Sequence, residues 1–145
     1  MRRSTLMAVA ITTSASFLVA AAPAIKPAVL DDPTIVAIFD AANTADIETG
    51  QLAVKRGSTQ EVRDFGAMLV RDHTAVRQQG RDLAKKLGVT PTPPADRASA
   101  NAHAKAMAEL RAKTGKNFDH AFLQHEVAFH KAVIDAITTT LLPAI

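Results

Sequence analysis

From Val62 to Leu87 the apolar residues recur every three or four positions, at Val62, Phe65, Gly66, Leu69, Val76, Gly80, Leu83 and Leu87, with His73 in the middle of the run. That is the period of one helix face, and an apolar face this long needs other helices to cover it. A later segment repeats the pattern with Phe118, Phe122, His125, Glu126, Phe129, His130 and Val133. An earlier one sets Asp46 among Ile35, Phe39, Ala42 and Ala53. Strand-like alternation and Asn-Gly hairpin signals are absent. The chain is therefore expected to be all-α, an up-and-down helical bundle. Ionisable groups on the inner faces of such a bundle need partners there, either one another or a metal.

The N-terminus reads differently. Arg2 and Arg3 precede an uncharged run from Leu6 to Ala22, and Ala22-Pro23-Ala24 offers a small-residue cleavage site. This is the layout of a secretory signal peptide over residues 1–24, with an uncleaved membrane anchor as the alternative. Export would place the protein in the periplasm or at the outer membrane. It also changes the charge. The 17 Lys and Arg against 14 Asp and Glu include Arg2 and Arg3, so the mature chain carries 15 against 14. A net charge of +1 with neither Trp nor Tyr gives no platform for nucleic acid. Cysteine is absent, which excludes a disulfide-linked partner, thiolate metal sites and thiol nucleophiles.

Residues 25–32 read as an extended lead-in and residues 33–145 as one bundle domain. Asp32 is expected to cap the first helix, with Pro33 at its first position and Gly57 at its end. Ser58-Thr59-Gln60-Glu61 reads as a capping box opening helix two, which continues to Leu87 and stops at Gly88. The connector over residues 89–94 holds Pro91, Pro93 and Pro94 and is expected to be extended. A short alanine-rich helix follows from about Ala95 to Lys113, closed by Gly115. Asn117 is expected to cap the last helix, which runs to about Leu142 before Pro143.

Three places carry candidate chemistry. His73, beside Asp72, is either a metal ligand whose second ring nitrogen a carboxylate orients, or a buried histidine hydrogen-bonded to a carboxylate from another helix. Glu126 and His130 are four residues apart on one face, so they either converge on an ion or form a pair at the bundle rim. His125 lies on the same broad stripe. Asp46 supplies a carboxylate from a third helix, as a ligand or as the partner that satisfies His73. Glu48 points nearly opposite to Asp46. Asp119-His120, at the start of the last helix, reads as capping chemistry, and His103 as exposed. No hydrolase elbow, phosphate-binding glycine loop, H-E-x-x-H or dinucleotide fingerprint is present.

The segment Asp46-Ile47-Glu48-Thr49-Gly50-Gln51-Leu52-Ala53 resembles an E-I-E-x-G-x-L-A stretch of one bacterial family. Val62 through Phe65 to Asp72-His73 is similar to its V-x-x-F-A-x-x-M-x-x-D-H signature, and Phe118-Asp119 through Val127 and His130 to its F-D-x-x-Y/F-L-x-x-x-V-x-x-H segment. The family is catalogued as domain of unknown function 4142 and often labelled a predicted outer membrane protein. The resemblance spans roughly residues 33–142 and implies an exported, ferritin-like bundle with no established activity. The Glu and Glu-x-x-His pattern of ferritin-like di-metal proteins is not present, because His73 follows Asp72 directly and Glu126 and His130 are four apart. The resemblance also implies a further helix after the Leu-Leu-Pro turn. Without it, either a second copy or a partner helix is expected over the open face, or the sequence is a truncated product.

Two functions follow as expectations. The leading one is a non-enzymatic envelope protein that uses its bundle for binding or assembly. The other is a metal-binding, redox-capable bundle with Asp46, His73, Glu126 and His130 as ligands and Asp72 and His125 behind them. Oxygen and nitrogen ligands without sulfur suit iron, manganese, zinc or copper. Membrane-surface binding ranks last, because Asp64 and Asp82 interrupt the basic set Arg63, Arg71, Arg77, Arg81, Lys85 and Lys86.

Overall fold

The structure, a computed structural model, describes residues 30–144, so the expected signal peptide over residues 1–24 lies outside the described residues. Four helices follow one another: α1 (Asp32–Arg56), α2 (Gln60–Leu87), α3 (Ala98–Arg111) and α4 (Gly115–Ala136). No strand occurs among the described residues. None of the described helices is long and apolar enough to cross a membrane.

Helix ends depart from expectation for local reasons. Asp31, not Asp32, caps α1, because its extended backbone lets the carboxylate accept the Thr34 N–H at 2.9 Å. The capping box at Ser58 does not form. Thr59 caps α2 by accepting from the Val62 N–H, and Ser58 is drawn away to Asp119 on α4. Helix α3 starts at Ala98, later than expected. Gly115 does not close α3 but opens α4, its φ of 56° making the turn, with Thr114 in the cap position instead of Asn117. Regular α4 ends at Ala136. The Thr138 and Thr139 hydroxyls bond back to the carbonyls of Ile134 and Asp135, and the chain widens into a π-turn over Ile137–Leu141.

Contacts between helices set the topology. Gly50 meets Gly66, and Phe39 meets Gly80, so α1 and α2 are antiparallel. Glu48 pairs with His103 and Arg56 with the Arg111 carbonyl, so α3 runs with α1. Ser58 pairs with Asp119 and Phe65 with Phe122, so α4 runs with α2. This is the expected all-α up-and-down bundle. The proline-rich connector over residues 89–94 carries neither helix nor strand and is tied to the start of α1 by Thr92 N–H donating to the Pro33 carbonyl at 3.0 Å.

The tightest packing is the α1–α2 hairpin. A Cβ on Gly50 would stand 2.7 Å from the Gly66 carbonyl oxygen, and one on Gly66 would stand 2.7 Å from that of Gly50. The two backbones touch because neither residue has a side chain. The core beside this crossing holds Ala53, Val62, Leu69, Leu110, Phe118 and Phe122. Between α2 and α4, by contrast, a cleft of about 400 Å³ stays open, walled by Phe65, Met68, Leu69, Leu123 and Val127.

Candidate metal centre

The Gly50–Gly66 contact fixes the register of α1 against α2. One turn before it, Asp46 is carried inward, and two turns after it, His73 comes round to meet Asp46. His73 Nδ1 lies 3.3 Å from Asp46 Oδ2. From α4, His130 Nε2 approaches Asp46 Oδ1 to 3.9 Å. One donor atom from each of Asp46, His73 and His130 lies within 4.8 Å of the others. Three helices thus bring one carboxylate and two imidazoles together. Asp46 is 4% exposed, and its Oδ1 is buried without a hydrogen-bond partner.

Both imidazoles are oriented by groups behind them. Asn43 Nδ2 donates to the Phe39 carbonyl at 2.8 Å, which turns Oδ1 toward His73 Nδ1 at 3.0 Å. An amide oxygen only accepts, so Nδ1 of His73 carries the proton and donates. His130 Nδ1 faces the Glu126 carbonyl at 2.9 Å and donates there for the same reason. In the neutral form His130 keeps its lone pair on Nε2, the nitrogen that faces Asp46, the arrangement found when a second partner prepares a histidine for a metal, whereas His73 turns Nδ1 toward both Asn43 and Asp46.

Glu126 is buried beside this group, with Oε2 3.7 Å from His130 Nδ1. Neither of its oxygens has a hydrogen-bond partner. Burial, opposed by Thr49 and reinforced by the neighbouring Asp46, pushes its carboxyl up to about 7. Burial also raises Asp46, against the pull of His73 and His130. Two buried carboxyls, both raised by burial, thus lie beside two histidines, and a group this buried is held neutral or partnered.

Of the six residues singled out from sequence, Asp46, His73 and His130 converge. Glu126 adjoins them without joining the converging donors. Asp72 stands apart: it is exposed and pairs with its neighbour Arg71 at 2.7 Å, and Asn43 occupies the orienting place behind His73 instead. His125 is half-buried, with its ring against Phe129, and burial followed by the charge of His103 holds it below the usual imidazole range. His103 is not exposed as expected, since Glu48 holds its Nε2 at 2.8 Å. Asp119 does not cap its own helix, whose N-cap is Thr114, but reaches across the bundle. It accepts the Ser58 N–H at 2.8 Å and the Ser58 hydroxyl, tying α4 to the start of α2. Asn43 escaped sequence reasoning. Its one signal was its place three residues before Asp46, on the same inward face.

The cleft between α2 and α4 leads to this group, for His73, Glu126 and His130 line it alongside the apolar walls. A family model described as Domain of unknown function (DUF4142) matches residues 17–144. No curated protein and no solved structure matches the chain.

Proposed function

The chain belongs to the DUF4142 family, whose description assigns no activity, and we propose that its bundle binds a divalent transition-metal ion through Asp46, His73 and His130. The observation that carries this is the convergence of one buried carboxylate and two oriented imidazoles from three helices. The unmet Asp46 Oδ1 supports it further, because a buried acceptor without a partner costs about 1–3 kcal/mol that a cation would recover. Asp46 would supply a carboxylate oxygen, His130 its Nε2 lone pair and His73 a ring nitrogen. Two histidines and one carboxylate from nitrogen and oxygen donors fit iron, manganese, zinc or copper(II) and disfavour calcium. Glu126 would adjust the charge beside the ion.

This places metal binding ahead of the general binding or structural role expected from the bundle alone. The competing account is a structural network, in which Asp46 accepts from His73 and no ion enters. Metal analysis separates the two. The purified protein is exposed in turn to iron, manganese, zinc and copper, desalted and measured by elemental mass spectrometry, with His73→Ala beside it. Near-stoichiometric metal in the parent, lost in His73→Ala with helicity retained, is the expected result. No retained metal with any of the four sinks the proposal. Export to the cell envelope belongs to the same reading, resting on Arg2, Arg3 and the uncharged run that follows. N-terminal sequencing of the protein recovered from a periplasmic extract tests it, and a chain still beginning at Met1 would contradict cleavage.

A further inference from the structure

We propose that the end of the bundle formed by the α1–α2 and α3–α4 turns docks on an anionic, phosphate-bearing lipid surface. The inference does not rest on metal binding. The basic set read along α2 is broken by Asp64 and Asp82, but the fold gathers a different one. Arg56 donates to the Arg111 carbonyl, and Ser58 donates to Asp119. The last turns of α1 and α3 and the first turns of α2 and α4 therefore lie at one end. Residues 55–64 and 111–120 carry six cations there, Lys55, Arg56, Arg63, Arg111, Lys113 and Lys116, against the three acids Glu61, Asp64 and Asp119. The other residues from 30 to 144 carry eight cations against eleven acids. Positive charge is thus concentrated at one end of a domain whose Lys and Arg otherwise fall short of its Asp and Glu.

Among the described residues, none of these six cations forms an ion pair. Arg56 and Arg63 bond to neutral acceptors instead: Arg56 to the Arg111 carbonyl, Arg63 to the Gly57 carbonyl at 2.7 Å and to Gln60 Oε1 at 2.8 Å. Such bonds fix a guanidinium without cancelling its charge. Asp119 is buried against Ser58, so only Glu61 and Asp64 offer exposed carboxylates at this end. Elsewhere Arg71, Arg81, Lys105 and Lys131 each pair with a carboxylate. At the opposite end Lys85, Lys86 and Arg97 stand with Asp31, Asp32, Asp82 and Asp96. The charge calls for an anionic partner, and two observations select a lipid surface. Each turn holds only three residues, so no long loop separates the cations from a plane laid across the helix ends. No large apolar side chain is exposed within these two segments. A protein interface draws its strength from buried apolar or aromatic anchors, and a single-stranded nucleic acid from aromatic platforms. A cluster of Lys and Arg holds an anionic membrane by charge alone.

Co-sedimentation of the full chain with vesicles of equal phosphatidylglycerol and phosphatidylcholine tests the proposal, with vesicles of phosphatidylcholine alone beside them. The expected result is binding to the anionic vesicles at about 50 mM salt and release by about 0.5 M, where screening shortens the reach of each charge to a few ångströms. Lys113→Gln/Lys116→Gln should bind about 30-fold more weakly, and Lys113→Gln alone about 5-fold. Lys85→Gln/Lys86→Gln, at the opposite end, should keep the parent's affinity. All four substituted lysines are exposed, so helicity should persist, which circular dichroism checks. Anionic vesicles left unbound by the parent overturn the proposal, and so does an equal loss in the two double variants. Equal binding to phosphatidylcholine alone overturns it as well, and assigns the affinity to the uncharged run from Leu6 to Ala22. Binding to duplex DNA without binding to the vesicles overturns it in favour of a nucleic-acid surface.

Discussion

Asn43 and His73 form the contact that decides how the candidate site presents its donors: the amide oxygen holds Nδ1 at 3.0 Å while the amide nitrogen is anchored to the Phe39 carbonyl. The anchor leaves the amide one productive orientation, and hence leaves neutral His73 one favoured tautomer. Asn43→Ala is expected to weaken metal binding about 10–100-fold, the usual effect of removing a partner behind a ligand. Asn43→Asp keeps the acceptor and should retain most of the affinity. Competition titration with a chromogenic chelator measures both. Equal affinities for the parent and Asn43→Ala would show that the contact does not prepare His73.

Glu126 should tilt stability with pH. Its carboxyl keeps a proton in the folded state up to about 7, against an ordinary value of 4.5 in the unfolded chain. Between those values the folded state binds more protons, so stability is greatest below about pH 4.5 and declines as pH rises toward 7. Asp46, raised as well, acts in the same direction, while His125, lowered by burial, acts against it as pH falls. Glu126→Gln removes the first contribution and should flatten the curve by up to about 3 kcal/mol across the window. Urea unfolding with a chelator present, from pH 4.5 to 7.5, gives the slopes. An unchanged slope in the variant would mean that Glu126 ionises at its ordinary value.

The Gly50–Gly66 crossing should resist any side chain. A Cβ at either position meets backbone at 2.7 Å, and backbone cannot rotate away as a side chain can. Gly50→Ala and Gly66→Ala are each expected to cost about 1–3 kcal/mol or more through overpacking. Gly80→Ala would press on the half-exposed Phe39 ring, which has room to swing outward, and should cost less. Thermal melts of the three variants rank them, and a Gly80 variant less stable than both others would contradict this order.

Asp119 should matter more than its sequence position suggests. Asp119→Ala strands the Ser58 N–H and loosens α4 from the start of α2, at an expected cost of about 1–3 kcal/mol. Ser58→Ala loses only the hydroxyl bond and should cost less, since the backbone N–H still donates. Urea midpoints for the two single variants and the double variant give the coupling. Additive losses would mean that the two residues do not act as one contact.

The helices were legible in the sequence because their determinants are local. Apolar spacing, Pro33 and the stop at Gly88 act within a few residues of the structure they control, and they sufficed for an all-α up-and-down bundle. The errors were local competitions settled by a distant partner: Ser58 left its expected cap because Asp119 reached it from α4. His103 is covered by Glu48, a partner on another helix that its own segment does not reveal. Asp46, His73 and His130 could be named from sequence because a charged group on an apolar stripe is anomalous wherever it occurs. That they converge could not be, since the distance between groups on three helices depends on helix register. Register was decided by the mutual approach of Gly50 and Gly66, a contact between two helices that the periodicity of either one cannot show. Asn43 took the place behind His73 for the same reason. The residues alone determined which groups had to be buried and therefore partnered, and only the tertiary packing decided which partners they met.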